Sequence, residues 1–137
     1  PNASTTPGGP TMSEDRSVVL VVEDEKDLAD LYSMWLSETY EVRTAYDAEQ
    51  ALELTDEDVD VVLLDRRLPG ISGDEYLERI RGQGYACPVA VISAVEPDLE
   101  ILEMGFNDYV VKQISKREMH ELVERLLTLE EAGPETQ

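Results

Sequence analysis

The sequence is poor in the residues that would cross-link it or bind zinc. Its 137 residues include one cysteine, Cys87, which excludes an internal disulfide, and one histidine, which leaves no set of zinc ligands. No apolar run approaches the ~20 residues that a helix needs to cross a bilayer. The N-terminal segment PNASTTPGGPT has no apolar stretch typical of a signal peptide. We therefore expect a cytoplasmic protein that does not enter a membrane.

Basic residues are also scarce. Eleven lysines and arginines stand against 31 acidic residues, so the formal net charge is −20. Such a surface repels the phosphates of nucleic acids, and direct nucleic-acid binding by this chain is not expected. The acidic residues are interspersed with regular apolar patterns. We therefore interpret them as the solvated surface of a folded domain, of the kind that halophilic proteins use for solubility.

This interpretation predicts that the stability of the fold depends on salt. Repulsion among the surplus carboxylates lowers the free energy of unfolding, and dissolved cations screen that repulsion. We expect the melting temperature, followed by circular dichroism, to rise as KCl is increased to molar concentration. A melting temperature that does not rise would contradict the halophilic interpretation.

The apolar patterns alternate between strand and helix along the chain. Residues 1–16 are predicted to be a flexible leader, 17–128 one folded domain, and 129–137 a flexible tail or the start of a linker. The order βαβαβαβαβα predicts an α/β fold, a doubly wound parallel sheet with helices on both faces. Strands are predicted at about 17–22, 40–44, 59–64, 88–92 and 108–111, and helices at about 28–36, 47–52, 76–80, 97–104 and 115–127.

Polar side chains follow four of the five predicted strands. Glu23 and Asp24 follow the first strand, Asp65 the third, Ser93 the fourth and Lys112 the fifth. Taken singly, each is an ordinary turn, cap or surface residue. In a parallel sheet, however, the C-terminal ends of all strands lie at one edge, where ligands bind. We expect these five side chains to converge there.

Such a cluster suggests phosphoryl chemistry at a divalent cation. Carboxylates that lie together repel one another and are costly to bury unless a cation joins them. Mg²⁺ prefers oxygen ligands and is usually held by one or two carboxylates together with phosphate oxygens. An aspartate beside such an ion can attack phosphorus, and a lysine and a hydroxyl can stabilise the phosphoryl oxygens.

The motifs VVEDE, LLDRRLPGISG, VISA and DYVVK, in this order, resemble the receiver domain of two-component response regulators. The resemblance covers about residues 17–128, is to receiver domains of the chemotaxis-regulator-like kind, and points to a haloarchaeal source. It implies a flavodoxin-like fold, (βα)5, with strand order 2-1-3-4-5. The implied function is a phosphorylation-activated signalling switch. Such a protein catalyses only its own phosphorylation and dephosphorylation, and its partner is a sensor histidine kinase.

The resemblance also assigns roles to residues around Mg²⁺. Asp65 corresponds to the phospho-acceptor and is also a metal ligand. Asp24 corresponds to the direct ligand of Mg²⁺, and Glu23 to an acidic partner that acts through water. The backbone carbonyl of Arg67 would be a further ligand.

The remaining roles lie on the last two strands. Ser93 would hydrogen-bond the phosphoryl group, Lys112 would pair with it, and Tyr109 matches an aromatic switch position. Three features depart from the family pattern, and one of them is that Arg66 and Arg67 place two cations beside Asp65. Gln113 replaces the proline that usually follows the lysine, so the loop after the fifth strand is expected to differ in shape. Phe106 stands where the family prefers a small residue, so this junction must repack.

Two alternatives stay open at the level of sequence. One is a pseudo-receiver that acts as an interaction module without phosphorylation. The other is a phosphatase of the haloacid dehalogenase type, but that family needs a second aspartate two residues after the nucleophile, where this chain has Arg67. Family members commonly form homodimers through the face of the fourth helix, fifth strand and fifth helix. An effector domain after residue 129 is a further option.

Overall fold

The computed structural model describes residues 16–66, 72–94, 96 and 106–132. Strands and helices alternate along these ranges as the sequence predicts. The predicted helix at about 97–104 lies outside the described residues. The elements are β1 (Val18–Val22), α1 (Lys26–Ser37), β2 (Glu41–Ala45), α2 (Ala48–Leu54), β3 (Val61–Asp65), α3 (Gly73–Gly82), β4 (Val89–Ser93), β5 (Asp108–Val111) and α4 (Lys116–Ala132).

The five strands form one parallel sheet in the order β2-β1-β3-β4-β5. The predicted fold class and strand order are thus confirmed. β1, β3 and β4 are buried along their whole length, as expected for parallel strands that helices cover on both faces. β5 lies at the edge of the sheet and is half-buried.

Two strands extend one residue further than the sequence predicts. Asp65 and Ser93 do not follow their strands but end them, because both still pair with the neighbouring strand. Asp65 is in register with Ile92 of β4, and Ser93 with Val111 of β5. This pairing fixes the backbone of both residues.

Alternate residues of each strand point to opposite faces of the sheet and form two apolar cores. One core lies between the sheet and the helices α1 and α4, and the other between the sheet and the helices α2 and α3. In β1, Val19 and Val21 belong to the first core, and Leu20 and Val22 to the second. Because both faces are covered, polar side chains of the central strands can reach water mainly at the strand ends.

Helix starts follow the capping signals in the sequence. The side chain of Asp47 accepts a hydrogen bond from the Gln50 backbone N–H at the start of α2. At the start of α4, Ser115 and Glu118 bond each other's backbone N–H reciprocally, which is a capping box. α4 continues to Ala132, beyond the predicted end of the domain at residue 128. Among the described residues, no helix is both long and apolar enough to cross a membrane.

Candidate phosphorylation site

Four of the predicted site residues meet at the carboxyl edge of the sheet, which is the edge formed by the C-terminal strand ends. Single carboxylate oxygens of Glu23, Asp24 and Asp65 lie within 4.8 Å of one another. Lys112 Nζ lies 3.0 Å from Glu23 Oε1 and 3.5 Å from Asp65 Oδ2. Residues far apart in the sequence therefore form one cluster of three acids and one ammonium group.

Glu23 is the most deeply buried member of this cluster, with 2% of its surface exposed. Its backbone N–H donates to the carbonyl of Ala45 on β2, and its Oε2 accepts from the backbone N–H of Glu25. Burial and the nearby charge of Asp65 raise the pKa of Glu23 from 4.5 to about 7, against the opposing hydrogen bond from Lys112. The carboxyl group of Glu23 therefore keeps its proton to a higher pH than an exposed glutamate does.

Lys112 supplies positive charge to this cluster. Burial opposes its charge, but its hydrogen bond to Glu23 and the negative charges of Asp65 and Glu23 outweigh burial and raise its pKa. Its backbone N–H donates to the carbonyl of Ser93 at 2.7 Å, which ties the end of β5 to the end of β4. The peptide bond between Lys112 and Gln113 is cis, although no proline follows Lys112.

Ser93 and Tyr109 lie on neighbouring strands. Ser93 is fully buried at the last position of β4. Tyr109 is partly buried on β5, and its ring meets that of Phe106 edge to face with 6.0 Å between the ring centroids. Phe106 packs against the core that contains α2 and α3. The larger residue at position 106 is therefore accommodated by contact with the ring at the predicted switch position.

Tyr32 lies near the site, although no clear signal in the sequence indicated this. Tyr32 is buried on α1, and its pKa is raised by burial first, with smaller effects of opposite sign from Lys112 and Glu23. It is therefore close enough to the cluster to feel its charge, whereas its position on an apolar helix face indicated only a core residue. The predicted ligand at Arg67 lies outside the described residues.

Gly73, the first residue of α3, lies against the backbone of the site. The sequence indicated only a loop here. The Gly73 backbone N–H donates to the carbonyl of Arg66 at 3.0 Å. A Cβ atom at Gly73 would lie 2.6 Å from the Asp65 carbonyl oxygen and 2.9 Å from the Arg66 Cα. Glycine at position 73 therefore permits close contact between the start of α3 and the backbone of the site.

We expect Gly73→Ala to lower the free energy of unfolding by about 2 kcal/mol, a typical cost of overpacking. The added methyl group meets backbone atoms, which cannot rotate away as a flexible side chain could. Urea unfolding would measure the loss. Gly82→Ala is the control, because a Cβ atom there has no neighbour within 4 Å. If both variants had the same stability, the contact at Gly73 would not be tight.

Comparison with known proteins defines the class to which this geometry belongs. Residues 19–124 match the family described as the response regulator receiver domain, and the chain belongs to this family. A protein of Haloferax volcanii with the name "Putative transcriptional regulator" is 51% identical over 119 residues, which are 86% of this chain and 20% of that protein. The chain thus spans about a fifth of the length of this relative.

Solved structures agree with this assignment. A CheY-like receiver domain protein from Methanospirillum hungatei is 25% identical, with a TM-score of 0.80, and the match covers 88% of this chain and all of that one. The response regulator protein TrrA from Thermotoga maritima, in complex with Mg²⁺–BeF, is 34% identical with a TM-score of 0.72. That match covers 81% of this chain and 99% of the other. Receiver domains are phosphorylation-activated signalling modules, and the family resemblance expected from the motifs is confirmed.

Proposed function

We propose that this receiver domain accepts a phosphoryl group on Asp65 from the phosphohistidine of a sensor histidine kinase. The observation that carries the proposal is the approach of Lys112 Nζ to 3.5 Å from Asp65 Oδ2, beside two further carboxylates. A carboxylate that is 6% exposed at a strand end faces solvent on few sides. It can therefore receive a phosphoryl group while neighbouring groups contact the phosphoryl oxygens.

The transfer would be a single displacement at phosphorus. An oxygen of the Asp65 carboxylate attacks in line, the phosphorus–nitrogen bond breaks, and the imidazole nitrogen keeps the electron pair and takes up a proton. Lys112 stabilises the charge of the phosphoryl oxygens, and Ser93 hydrogen-bonds one of them. Attack of water on phosphorus releases inorganic phosphate and restores the carboxylate.

The residues present fit Mg²⁺. Their carboxylate oxygens are hard ligands, and one of the three acids, Asp24, is exposed and leaves room for retained waters. Asp24 and Asp65 would hold the ion directly and Glu23 through water. When bound, Mg²⁺ would supply positive charge that compensates the carboxylates and the incoming phosphoryl group. Burial and the charge of Asp65 raise the pKa of Glu23, so a bound cation would favour its ionised form.

Phosphorylation would act through β4 and β5. A shift of Ser93 toward the phosphoryl group opens space for Tyr109, which would turn inward and change the surface around β5. The contact with Phe106 means that the Tyr109 ring cannot turn without losing an edge-to-face neighbour. Homodimerisation through the face that includes β5, and control of an effector domain, are further proposals for a longer protein.

Phosphorylation with acetyl phosphate and Mg²⁺ tests the proposal directly. The wild type is expected to gain one phosphoryl group by intact mass and to lose it with time. Asp65→Asn should gain none, because the amide is not a nucleophile for phosphorus. Asp60→Asn is the control, since Asp60 Oδ2 accepts the Val18 N–H near the start of β1, away from the carboxyl edge. Equal labelling of Asp65→Asn and the wild type would exclude Asp65.

The pseudo-receiver alternative predicts a different result in the same preparation. Beryllofluoride mimics a phosphoryl group on aspartate, so a working receiver should show chemical-shift changes at Tyr109 that require Mg²⁺. An interaction module without phosphorylation should show no such change. Labelling at Asp65 together with a shift at Tyr109 would support the proposed switch.

A further inference from the structure

Arg66, directly after the proposed phospho-acceptor, is bound twice to the first turn of α3. Its carbonyl accepts the backbone N–H of Gly73 at 3.0 Å. Its guanidinium group donates two hydrogen bonds to the carboxylate of Asp74, from Nε to Oδ1 at 3.0 Å and from Nη2 to Oδ2 at 3.1 Å. The side chains of Arg66 and Asp74 are only 12% and 26% exposed. Backbone and side chain thus attach the same residue to the same helix turn.

The geometry of this ion pair makes it a stronger constraint than an ordinary surface salt bridge. A two-pronged contact between a planar guanidinium and a carboxylate fixes orientation as well as distance, and partial burial reduces screening by solvent and salt. Asp74 lies in the first turn of α3, where the helix dipole favours a negative charge. Across the same junction, Gly73 is packed against the Asp65 carbonyl oxygen. The start of α3 and the backbone of residues 65 and 66 therefore form one tightly packed unit.

We propose that the Arg66–Asp74 ion pair is a positioning device for the metal and phosphoryl site. It holds the backbone directly after Asp65 against α3 and thereby fixes the direction of the Asp65 carboxylate. The inference rests on the proposed function, because the carboxylate must be aligned only if it binds Mg²⁺ and accepts a phosphoryl group. Arg66 acts through the backbone in this role, as a positioning residue.

The direction in which one substitution changes Mg²⁺ affinity distinguishes positioning from a simple effect of charge. Arg66→Gln removes a positive charge near a cation site, and by charge alone it should strengthen Mg²⁺ binding. Positioning predicts the opposite, because the released backbone no longer presents Asp65 correctly. Asp74→Asn removes a negative charge and should weaken binding on either account. Arg66→Gln is therefore the decisive variant.

The experiment is calorimetric titration of MgCl₂ into the wild-type protein and the variants. We expect Arg66→Gln and Asp74→Asn each to weaken Mg²⁺ binding about tenfold, the usual effect of losing a group that orients a metal ligand. The double variant should weaken binding by much less than the product of the two single effects, because both single variants remove the same contact. Glu75→Gln is the control, because it removes an acidic residue of the same helix turn whose ion-pair partner is Arg79. This variant should bind Mg²⁺ as the wild type does.

A second measurement does not depend on metal binding. Hydrogen exchange of the Gly73 amide, which donates to the Arg66 carbonyl, should be faster in Arg66→Gln and in Arg66→Lys than in Glu75→Gln. Arg66→Lys keeps the charge but cannot form the two-pronged contact, and it provides a milder variant if Arg66→Gln folds poorly. Unchanged or tighter Mg²⁺ binding by Arg66→Gln, or unchanged Gly73 exchange, would overturn the inference. A wild-type protein that binds no Mg²⁺ would instead refute the proposed function.

Discussion

Lys112→Met is expected to lower the free energy of unfolding by ~3 kcal/mol at pH values above 7, in the absence of Mg²⁺. The substitution leaves the buried carboxylates of Glu23 and Asp65 without the ammonium group that lies 3.0 and 3.5 Å away. The loss should be smaller in acid, because Glu23 then takes up a proton and no longer repels Asp65; since Lys112 lowers the pKa of Glu23, this protonation occurs at a higher pH in the variant than in the wild type. Urea unfolding in the presence of a chelator would measure the loss above pH 7 and the smaller loss in acid. Added Mg²⁺ should restore part of the lost stability.

Lys116→Met is the matched control for this prediction. Lys116 forms an ion pair of 2.7 Å with Glu38, but the two side chains are 47% and 57% exposed. Solvent screens such pairs, and their loss typically costs no more than about 1 kcal/mol. If Lys112→Met were no more destabilising than Lys116→Met above pH 7, the buried cluster would not depend on its lysine.

The second large effect is a dependence of stability on pH that originates at Glu23. Its pKa of about 7 in the folded protein lies above the usual value of 4.5. Between these values the folded state keeps a proton that the unfolded state has lost, so stability falls as the pH rises through this window. At about 1.36 kcal/mol per pKa unit, the contribution of Glu23 amounts to about 3 kcal/mol. Below 4.5 and above 7 this contribution no longer changes.

The difference between the wild type and Glu23→Gln isolates this effect from the repulsion among the other acidic residues. Glutamine has nearly the same shape and does not titrate, so the pH profile of the variant should be flatter by the stated amount. Saturating Mg²⁺ should also flatten the wild-type profile, because the bound cation favours the ionised carboxylate. Parallel profiles for the two proteins without metal would show that Glu23 is ionised throughout, contrary to this prediction.

Much of the fold could be predicted because its signals are local. The segments VVLVV and VVLLD form fully buried strands, and their continuous apolar character indicates burial on both faces. The caps at Asp47 and Ser115 are equally local, since the side chain bonds a backbone group three residues away. Strand ends were less predictable. Asp65 and Ser93 still pair with a neighbouring strand, and a polar side chain does not reveal that pairing.

The site could be predicted only as far as topology determines it. A parallel sheet brings the C-terminal strand ends to one edge, and this rule is sufficient to group Glu23, Asp65 and Lys112. The near-complete burial of Glu23 depends on the surrounding helices and strands, which no short motif specifies. The ion pair between Arg66 and Asp74 joins the residue after β3 to the first turn of α3, and no short motif specifies this contact. The sequence indicated only that two cations, Arg66 and Arg67, follow Asp65.

The strand order gives the contact between Lys112 and Glu23 a mechanical consequence. Lys112 follows the outermost strand, β5, whereas Glu23 follows β1, and β3 and β4 lie between them. Among the described strands β5 has one neighbour, β4, and it is only half-buried, so the sheet can fray there. A ligand that tightens the cluster would link β1 to β5 across three inter-strand boundaries. It would thereby slow the local opening of β5. Ligand binding at the cluster and the local opening of β5 would then be thermodynamically coupled.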